Sequence, residues 1–308
     1  MENFRLRVFR AVAHHLNFRI AAEELSLTQS AVTQQIKALE SELDTPLFDR
    51  NGGRVALTAA GQALVPLAEK LAGLAAEAQE AVAATKGVHA GKLAIGASQT
   101  IGQYLLPRLI AGFLREHPQV KITVTGGNTQ TILEALVDHR VQISLIEGPA
   151  LRKDVRLQPF MEDHMVCVVP AGHPWADHDV ELEQLPQAAF VARELGSGSR
   201  RIVEQAMEGA GVDVKKLNLV MTFDSTEGLL SAVEAGLGIA FVSRWAVRNQ
   251  LALGTLKVVR VKGLKLARMF SLATAAGPDP SGTVGAFHRF VLEHAEQWAP
   301  RSTGKPPH

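Results

Sequence analysis

Residues Phe18 to Leu57, FRIAAEELSLTQSAVTQQIKALESELDTPLFDRNGGRVAL, decide the reading of this chain. Ile20 to Leu25 carries two small residues, Ala21 and Ala22, where a second helix can approach closely, and Leu25 points to a core. Ser26-Leu27-Thr28 breaks the pattern. In the next stretch Val32, Ile36, Leu39 and Leu43 recur at intervals of four, three and four, which predicts a helix with one buried face. Thr28 is placed to cap it, its hydroxyl accepting from the open N–H groups of the first turn. The opposite face presents Gln29, Ser30, Thr33, Gln34 and Lys37. Two helices joined by a tight turn, the second faced with amides and hydroxyls, is the form of a helix that enters a DNA major groove. Gln suits adenine N6 and N7, and Ser or Thr suits either partner.

Downstream, Leu47-Phe48 forms an apolar anchor and Val55-Ala56-Leu57 an extended segment, with Arg50-Asn51-Gly52-Gly53-Arg54 between them. Asn-Gly is a strong hairpin signal, so a small wing is expected here. Arg50 and Arg54 are then placed to meet phosphate or a minor groove.

The arrangement LNFRIAAEEL (16–25), SLTQSAVTQQIKALESEL (26–43), PLFDR (46–50) and LTAAG (57–61) resembles the N-terminal winged helix-turn-helix of LysR-type transcriptional regulators. KLAIGAS (92–98), LLPRLIAGFLREHPQV (105–120), RELGSGS (193–199) and VEAGLGIAFVS (233–243) are similar to that family's regulatory domain. The resemblance implies an α/β chain: the winged head, a long linker helix, and a two-subdomain regulatory domain of periplasmic-binding-protein type. It also implies promoter DNA with inverted repeats, a small effector, RNA polymerase as a partner, and two dimers joined as a homotetramer.

The whole chain has 308 residues, 46% hydrophobic and 20% charged, with a net charge of +1. That is enough for a small head and larger cores in the ordinary soluble class. Residues 1–90 hold nine Lys and Arg against ten Asp and Glu, so the head is not basic overall. Attraction to DNA must come from where Arg5, Arg7, Arg10, Lys37, Arg50 and Arg54 are placed, and a single head should bind weakly. For Arg5, Arg7 and Arg10 a solvated face is the equal alternative. The single cysteine, Cys167, lies in the apolar run Met165 to Val169 and excludes an internal disulfide or a CxxC metal site. No signal peptide and no run of eighteen apolar residues are visible, so a cytoplasmic protein without a membrane partner is expected.

Before the turn, Phe4, Val8, Phe9 and Val12 predict a first helix over Glu2 to about His14. After the wing, Thr58 can cap a helix in which Leu64, Ala68, Leu71, Ala75, Ala78 and Val82 alternate by four and three. That is a coiled-coil seam and predicts a dimer helix about 40 Å long. Pro66 falls within its first turns, where a kink is tolerable. Gly87 and Gly91 end it. Paired heads would meet inverted half-sites about one helical turn apart or more.

Beyond the hinge, strands over Lys92–Ala97, Val120–Thr125 and Val141–Ile146 alternate with helices, which predicts a parallel sheet with ligands at the carboxyl ends of its strands. A second unit begins near Asp163, with strands Met165–Val169, Phe190–Ala192, Leu217–Phe223 and Ile239–Val242. Leu266–Ala273 returns to the first unit, and Val284–His294 makes a last helix. The expected boundaries are 1–57 for the head and 58–90 for the linker. Subdomain I covers 91–161 with 266–297, subdomain II covers 162–265, and 298–308 is a disordered tail. Ser98 and Thr100 in one half, and Ser197 and Ser199 in the other, put hydroxyls at helix N-termini, where an anion is favoured. Each alone also reads as an N-cap. Together with Asn128, Glu147 and Phe223 they form the expected effector site for a small anion, although Glu147 opposes one unless it pairs with an arginine or faces an amine or hydroxyl.

An enzyme is not expected. Gly96-Ala97-Ser98-Gln99-Thr100 lacks the last glycine of a nucleophile elbow, and Gly236-Leu237-Gly238 precedes a strand, the reverse of a phosphate loop. Neither a cofactor nor a metal is expected. The rival reading is a solute-binding or sensor protein of the same two-lobed fold without promoter-specific regulation.

Overall fold

The computed structural model describes residues 3–49, 55–84, 91–149 and 152–298. The chain divides into an N-terminal unit that runs through the long helix and also takes in Asp138–Arg140, and a C-terminal unit made of the rest.

The N-terminal unit packs α1 (Phe4–His15), α2 (Phe18–Leu25) and α3 (Gln29–Glu42) against one another. Each starts on a capping side chain: Asn3 accepts from Arg5 N, Asn17 from Arg19 N and Ile20 N, and Thr28 from Ala31 N. Left-handed residues Leu16 and Ser26 end the first two helices. Val8, Phe9, Val12, Ala21, Ala22, Val32, Ile36 and Leu39 form the core with Leu47 and Phe48. Leu43 falls outside that face. The helix stops at Glu42, and Leu43 follows as its C-cap, 45% exposed. Phe4, at the mouth of α1, is likewise exposed. The Glu40 carboxylate accepts from Leu47 N at 2.9 Å and Phe48 N at 3.3 Å, and so ties α3 to the next segment.

That segment is β1 (Phe48–Asp49), antiparallel to β2 (Ala56–Leu57) as the wing pattern implied. Arg50, Arg54 and the Asn-Gly turn lie outside the described residues. Phe48 sets its ring against Phe9 and Phe18, at centroid separations of 5.5 and 5.7 Å. Gly61 is needed for close approach, because a Cβ there would lie 2.2 Å from Leu47 O.

Helix α4 (Ala59–Ala84) has 26 residues and keeps Pro66 inside. The expected seam divides in two, and Leu67 and Leu74, which lie outside it, join its exposed part. Ala68 is fully buried and Leu64 partly buried against the head's own core, whereas Leu67, Leu71, Leu74 and Val82 are about half exposed or more. A four-three spacing looks the same whether it faces its own domain or another chain, which is why Leu64 and Ala68 were placed on the outer seam.

The C-terminal unit has a parallel sheet of β3 (Gly91–Ser98), β4 (Val120–Gly127) and β5 (Ile143–Ile146), with β3 central. A π-turn, Ile101–Leu105, leads into α5 (Leu106–Glu116), and Pro107, which has no N–H to donate, sits at the junction. Helix α6 (Thr129–Val137) makes the second crossover. The sequence places the second unit's first strand at Met165, but β6 runs unbroken from Val155 to Pro170. Pro159 disguises its first half. It sits where the register shifts between Phe270 and Ser271, an irregularity that tolerates a residue without an N–H.

Residues 155–164 of β6 pair with β11 (Ala267–Ala275), which also borders β5. Residues 165–170 pair with β9 (Ala240–Ser243) and β10 (Leu256–Val259). One strand therefore serves both lobes, and β11 returns beside it. The second lobe adds β7 (Ala189–Arg193) parallel to β8 (Asn218–Phe223), with α7 (Gly198–Gly209), α8 (Thr226–Glu234) and α9 (Arg248–Leu253). Helix α10 (Gly282–His294) packs Phe287 and Phe290 on Phe113 of the first lobe. Cys167 is buried in the second lobe's core, and burial pushes its thiol up to about 12.

Ile36→Ala is expected to lower the stability of the head by about 2–5 kcal/mol, since it opens a cavity at a fully buried position. Urea unfolding followed by circular dichroism measures this. In the same titration Cys167 should react with iodoacetamide only as the second lobe unfolds, because a thiol held near 12 is almost wholly protonated at neutral pH.

Candidate functional site

Two surfaces carry the chemistry that the sequence singled out. On α3, Gln29, Ser30, Gln34 and Lys37 are exposed, and Thr33 lies half-buried between them. Positions 29, 33 and 37, and 30 and 34, recur every fourth residue, so they share the face opposite Val32, Ile36 and Leu39. Thr33 Oγ1 donates back to Gln29 O at 2.9 Å, and Ser30 shares a hydrogen bond with Thr28. Among the arginines of α1, Arg5 is held by Glu42 at 2.7 Å.

The second surface lies between the two lobes of the C-terminal unit, and its centre is a residue that the sequence reading passed over. Arg268, at the start of β11, has a fully buried side chain. Its Nε donates to Asp163 Oδ2 at 2.8 Å, Nη1 to Ser199 Oγ at 2.8 Å, and Nη2 to Glu147 Oε2 at 3.3 Å and Thr100 Oγ1 at 3.4 Å. Asp163 also accepts from Ser243 Oγ at 2.7 Å. Glu147 Oε1 accepts from Thr100 N at 3.4 Å and Ser199 Oγ at 3.5 Å. One cation thus sits between two buried carboxylates. Arg268 and Asp163 are register partners on β11 and β6, so the ion pair is built into the strands that both lobes share.

The structure brings Thr100, Glu147 and Ser199 together through Arg268. The other expected residues stand apart from this node. Ser98 is fully buried and donates to Leu145 O. Asn128 caps α6 by accepting from Thr131 N, and Ser197 caps α7 by accepting from Arg200 N. Phe223 ends β8 beside Arg193, which donates to its carbonyl at 3.3 Å. The sequence signal for Arg268 was phase: it alternates with Phe270 and Leu272, both buried, and so had to point inward.

The lobes touch at the start of α7. A Cβ on Gly198 would fall 2.5 Å from Thr129 Oγ1 and 2.6 Å from Glu147 O, so only glycine allows this approach. Thr129 Oγ1 is buried there without a hydrogen-bond partner. Outside the contact, α6 and α7 flank a groove of about 470 Å³, lined by Ser197, Arg152, Arg200 and Arg201 and by Glu134 and Glu204. On another side Tyr104 of the π-turn donates to Glu227 of α8, and burial followed by that carboxylate raises its phenol pKa well above the ordinary value.

Residues 4–62 match the family described as bacterial regulatory helix-turn-helix protein, lysR family, and residues 86–296 match the LysR substrate binding domain. The chain belongs to the LysR family of transcriptional regulators. Proteins named probable RuBisCO transcriptional regulators are similar along nearly all of it. The one from Cyanophora paradoxa is 34% identical over 292 residues, covering 94% of this chain and 90% of its own. That from Synechocystis sp. is 32% identical, with 94% and 85% covered. Among solved structures the fold is shared with full-length OxyR from Pseudomonas aeruginosa (TM-score 0.72, 24% identity, 98% of both chains). It is also shared with full-length CbnR complexed with its target DNA (TM-score 0.70, 20% identity, 96% and 99%). The Synechocystis CcmR regulatory domain in complex with 2-PG covers 68% of this chain and 99% of its own (TM-score 0.62, 22% identity).

As a LysR regulator, the chain combines a DNA-binding head with an effector-binding domain. Among the described residues no helix is long and apolar enough to cross a membrane, and no three His, Cys, Asp or Glu side chains are grouped to hold a metal ion.

Arg268→Gln is expected to destabilise the C-terminal unit by about 3–5 kcal/mol, because it leaves Glu147 and Asp163 buried without their cation. Combining Arg268→Met with Glu147→Gln and Asp163→Asn should recover much of that loss. Urea titration of the three proteins checks both statements.

Proposed function

We propose that Gln29, Ser30, Thr33 and Gln34 read base edges in the major groove, with Lys37, Arg50 and Arg54 on phosphate or the minor groove, and that a small anionic effector binds between the lobes. The observation that supports the effector reading best is the buried node of Arg268, because it is bonded at once to the first lobe, the start of α7 and the shared strand β6. A ligand that moves α7 must disturb it.

The node already holds two carboxylates against one guanidinium, so it repels further negative charge. The anionic group of the effector belongs instead at the N-terminus of α7, in the groove with Arg152, Arg200 and Arg201, where open N–H groups and the helix dipole favour it. From there a hydroxyl or carboxylate oxygen can reach Thr129 once the lobes part. This keeps the anion expected from the sequence but moves it away from Ser98 and Thr100. CcmR in complex with 2-PG and an effector domain of QuiR in complex with shikimate are relatives of this fold, and 2-PG is a rational first probe.

The exposed Leu67, Leu71 and Leu74 of α4 are the surface through which two copies pair and present two heads to inverted half-sites. Two such dimers form a tetramer, by analogy with the family, and the DNA-bound assembly works in the cytoplasm by engaging RNA polymerase.

Gln34→Ala should lose roughly 1–3 kcal/mol of discrimination between operator and mutated operator, read by competition binding. Unchanged selectivity would remove Gln34 from the reading set. Thr129→Val replaces an unpartnered buried hydroxyl with a methyl of the same shape. The ligand-free protein should therefore melt at or above the wild-type temperature while its affinity for the effector falls. A lower melting temperature without ligand would show that the hydroxyl is already satisfied and would defeat this assignment.

A further inference from the structure

Under α7, on its sheet-facing side, lies a cavity of about 80 Å³ that the regulatory reading does not use. Val203 and Met207 of α7 cover it, Phe190 and Phe241 floor it, and Leu217 and Leu219 close the side along β8. The two phenylalanine rings stack, with centroids 6.2 Å apart and planes 15° from parallel.

The polar side chains at its rim are engaged with one another. Arg200 donates to Glu204 and to Arg193 O, Arg193 to Glu194 and Thr226, and Ser199 is held by Arg268. Among the described residues the buried side-chain polar atoms without a partner belong to Thr129, Ser144 and Gln250, none of which lines this space. The side chains away from that rim are apolar, and a space walled in this way favours an apolar guest. Its size is roughly half that of the ~150 Å³ apolar cavity that admits benzene. Leu219, 43% exposed, is the most exposed part of an apolar wall whose rim, at Arg200 and Glu204, also reaches solvent.

We propose that this cavity is a second ligand site, distinct from the anion site at the start of α7, and that it takes a small uncharged apolar group such as a short branched alkyl chain or, with Leu219 displaced, a single ring. The same helix carries both sites. Val203 lies one turn beyond Ser199, whose hydroxyl accepts from Arg268 at 2.8 Å. An occupant that wedges Val203 and Met207 away from the sheet shifts Ser199 against the node, so it acts on the cleft from behind.

The test uses the full-length chain and two probes. Xenon should give a saturable site in the wild type, seen by ¹²⁹Xe NMR, that disappears in Val203→Phe, which fills the space. Leu217→Phe fills it from the β8 side if the first variant fails to fold. Met207→Ala enlarges the cavity, and millimolar benzene should then raise its melting temperature and slow amide exchange at Ser199 and Arg200. Xenon binding retained in a folded filling variant, or no benzene shift in folded Met207→Ala, would overturn the site. A benzene shift with exchange at Ser199 and Arg200 unchanged would overturn its action on the cleft.

Discussion

Arg268 is the constraint on which the C-terminal unit depends. Its guanidinium is removed from water, so the positions of Glu147 and Asp163 are set by its need for acceptors. The planar fork reaches several partners at fixed angles, as a lysine could not. Asp163 anchors it to β6, Ser199 to the first turn of α7, and Thr100 and Glu147 to the carboxyl ends of the first lobe's strands. An ion cluster of this sort adds little net stability over an apolar core of the same volume. Its three charges all belong to the first lobe and the shared strands, and the second lobe adds the hydroxyls of Ser199 and Ser243, so the cluster meets that lobe through hydrogen bonds alone.

Much of the fold was legible because it rests on short-range periodicity. The four-three spacing of Val32, Ile36 and Leu39, and the caps at Thr28 and Thr58, are local facts, and the structure keeps each of them. Three features were not local. Pro159 disguised the first half of β6, since its tolerance depends on a bulge opposite Phe270 and Ser271, more than a hundred residues away in sequence. Leu64 and Ala68 could not be told from the exposed seam, because a heptad pattern does not say which partner it meets. Arg268 was passed over although its alternation with Phe270 and Leu272 turns it inward, because the partner that makes its burial possible, Asp163, is 105 residues away in sequence.

The expected effector residues show the same limit. Of the hydroxyls expected at helix starts, Ser197 is an N-cap while Ser98 ends β3 and Thr100 makes no capping bond, and capping and ligand binding use the same atoms. Ser197 and Asn128 cap their helices, Ser199 serves the node, and Thr129, which was not singled out, holds a buried hydroxyl without a partner where the lobes meet. No sequence pattern distinguishes a satisfied hydroxyl from an orphaned one. At Thr129 the close approach depends on Gly198, whose missing side chain leaves room for α7 against that hydroxyl.

On the proposed effector reading, that orphan is a driving force of the right size for a switch. A ligand shifts an equilibrium only by the difference in its free energy with the two states. A buried hydroxyl without a partner costs about 1–3 kcal/mol, and couplings between sites in regulators run to about 1–3 kcal/mol. The closed contact of Gly198 on Thr129 is therefore kept at a cost comparable to the whole signal, and a ligand oxygen that satisfies Thr129 removes the cost only where α7 has moved. On the proposed effector reading the movement carries Ser199 away from Arg268, and because Arg268 is paired to Asp163 on β6 it reaches the strand shared by both lobes. A head of near-balanced charge, expected to bind DNA weakly by itself, is suited to such control, since a coupling of about 1–3 kcal/mol changes affinity roughly 5- to 150-fold.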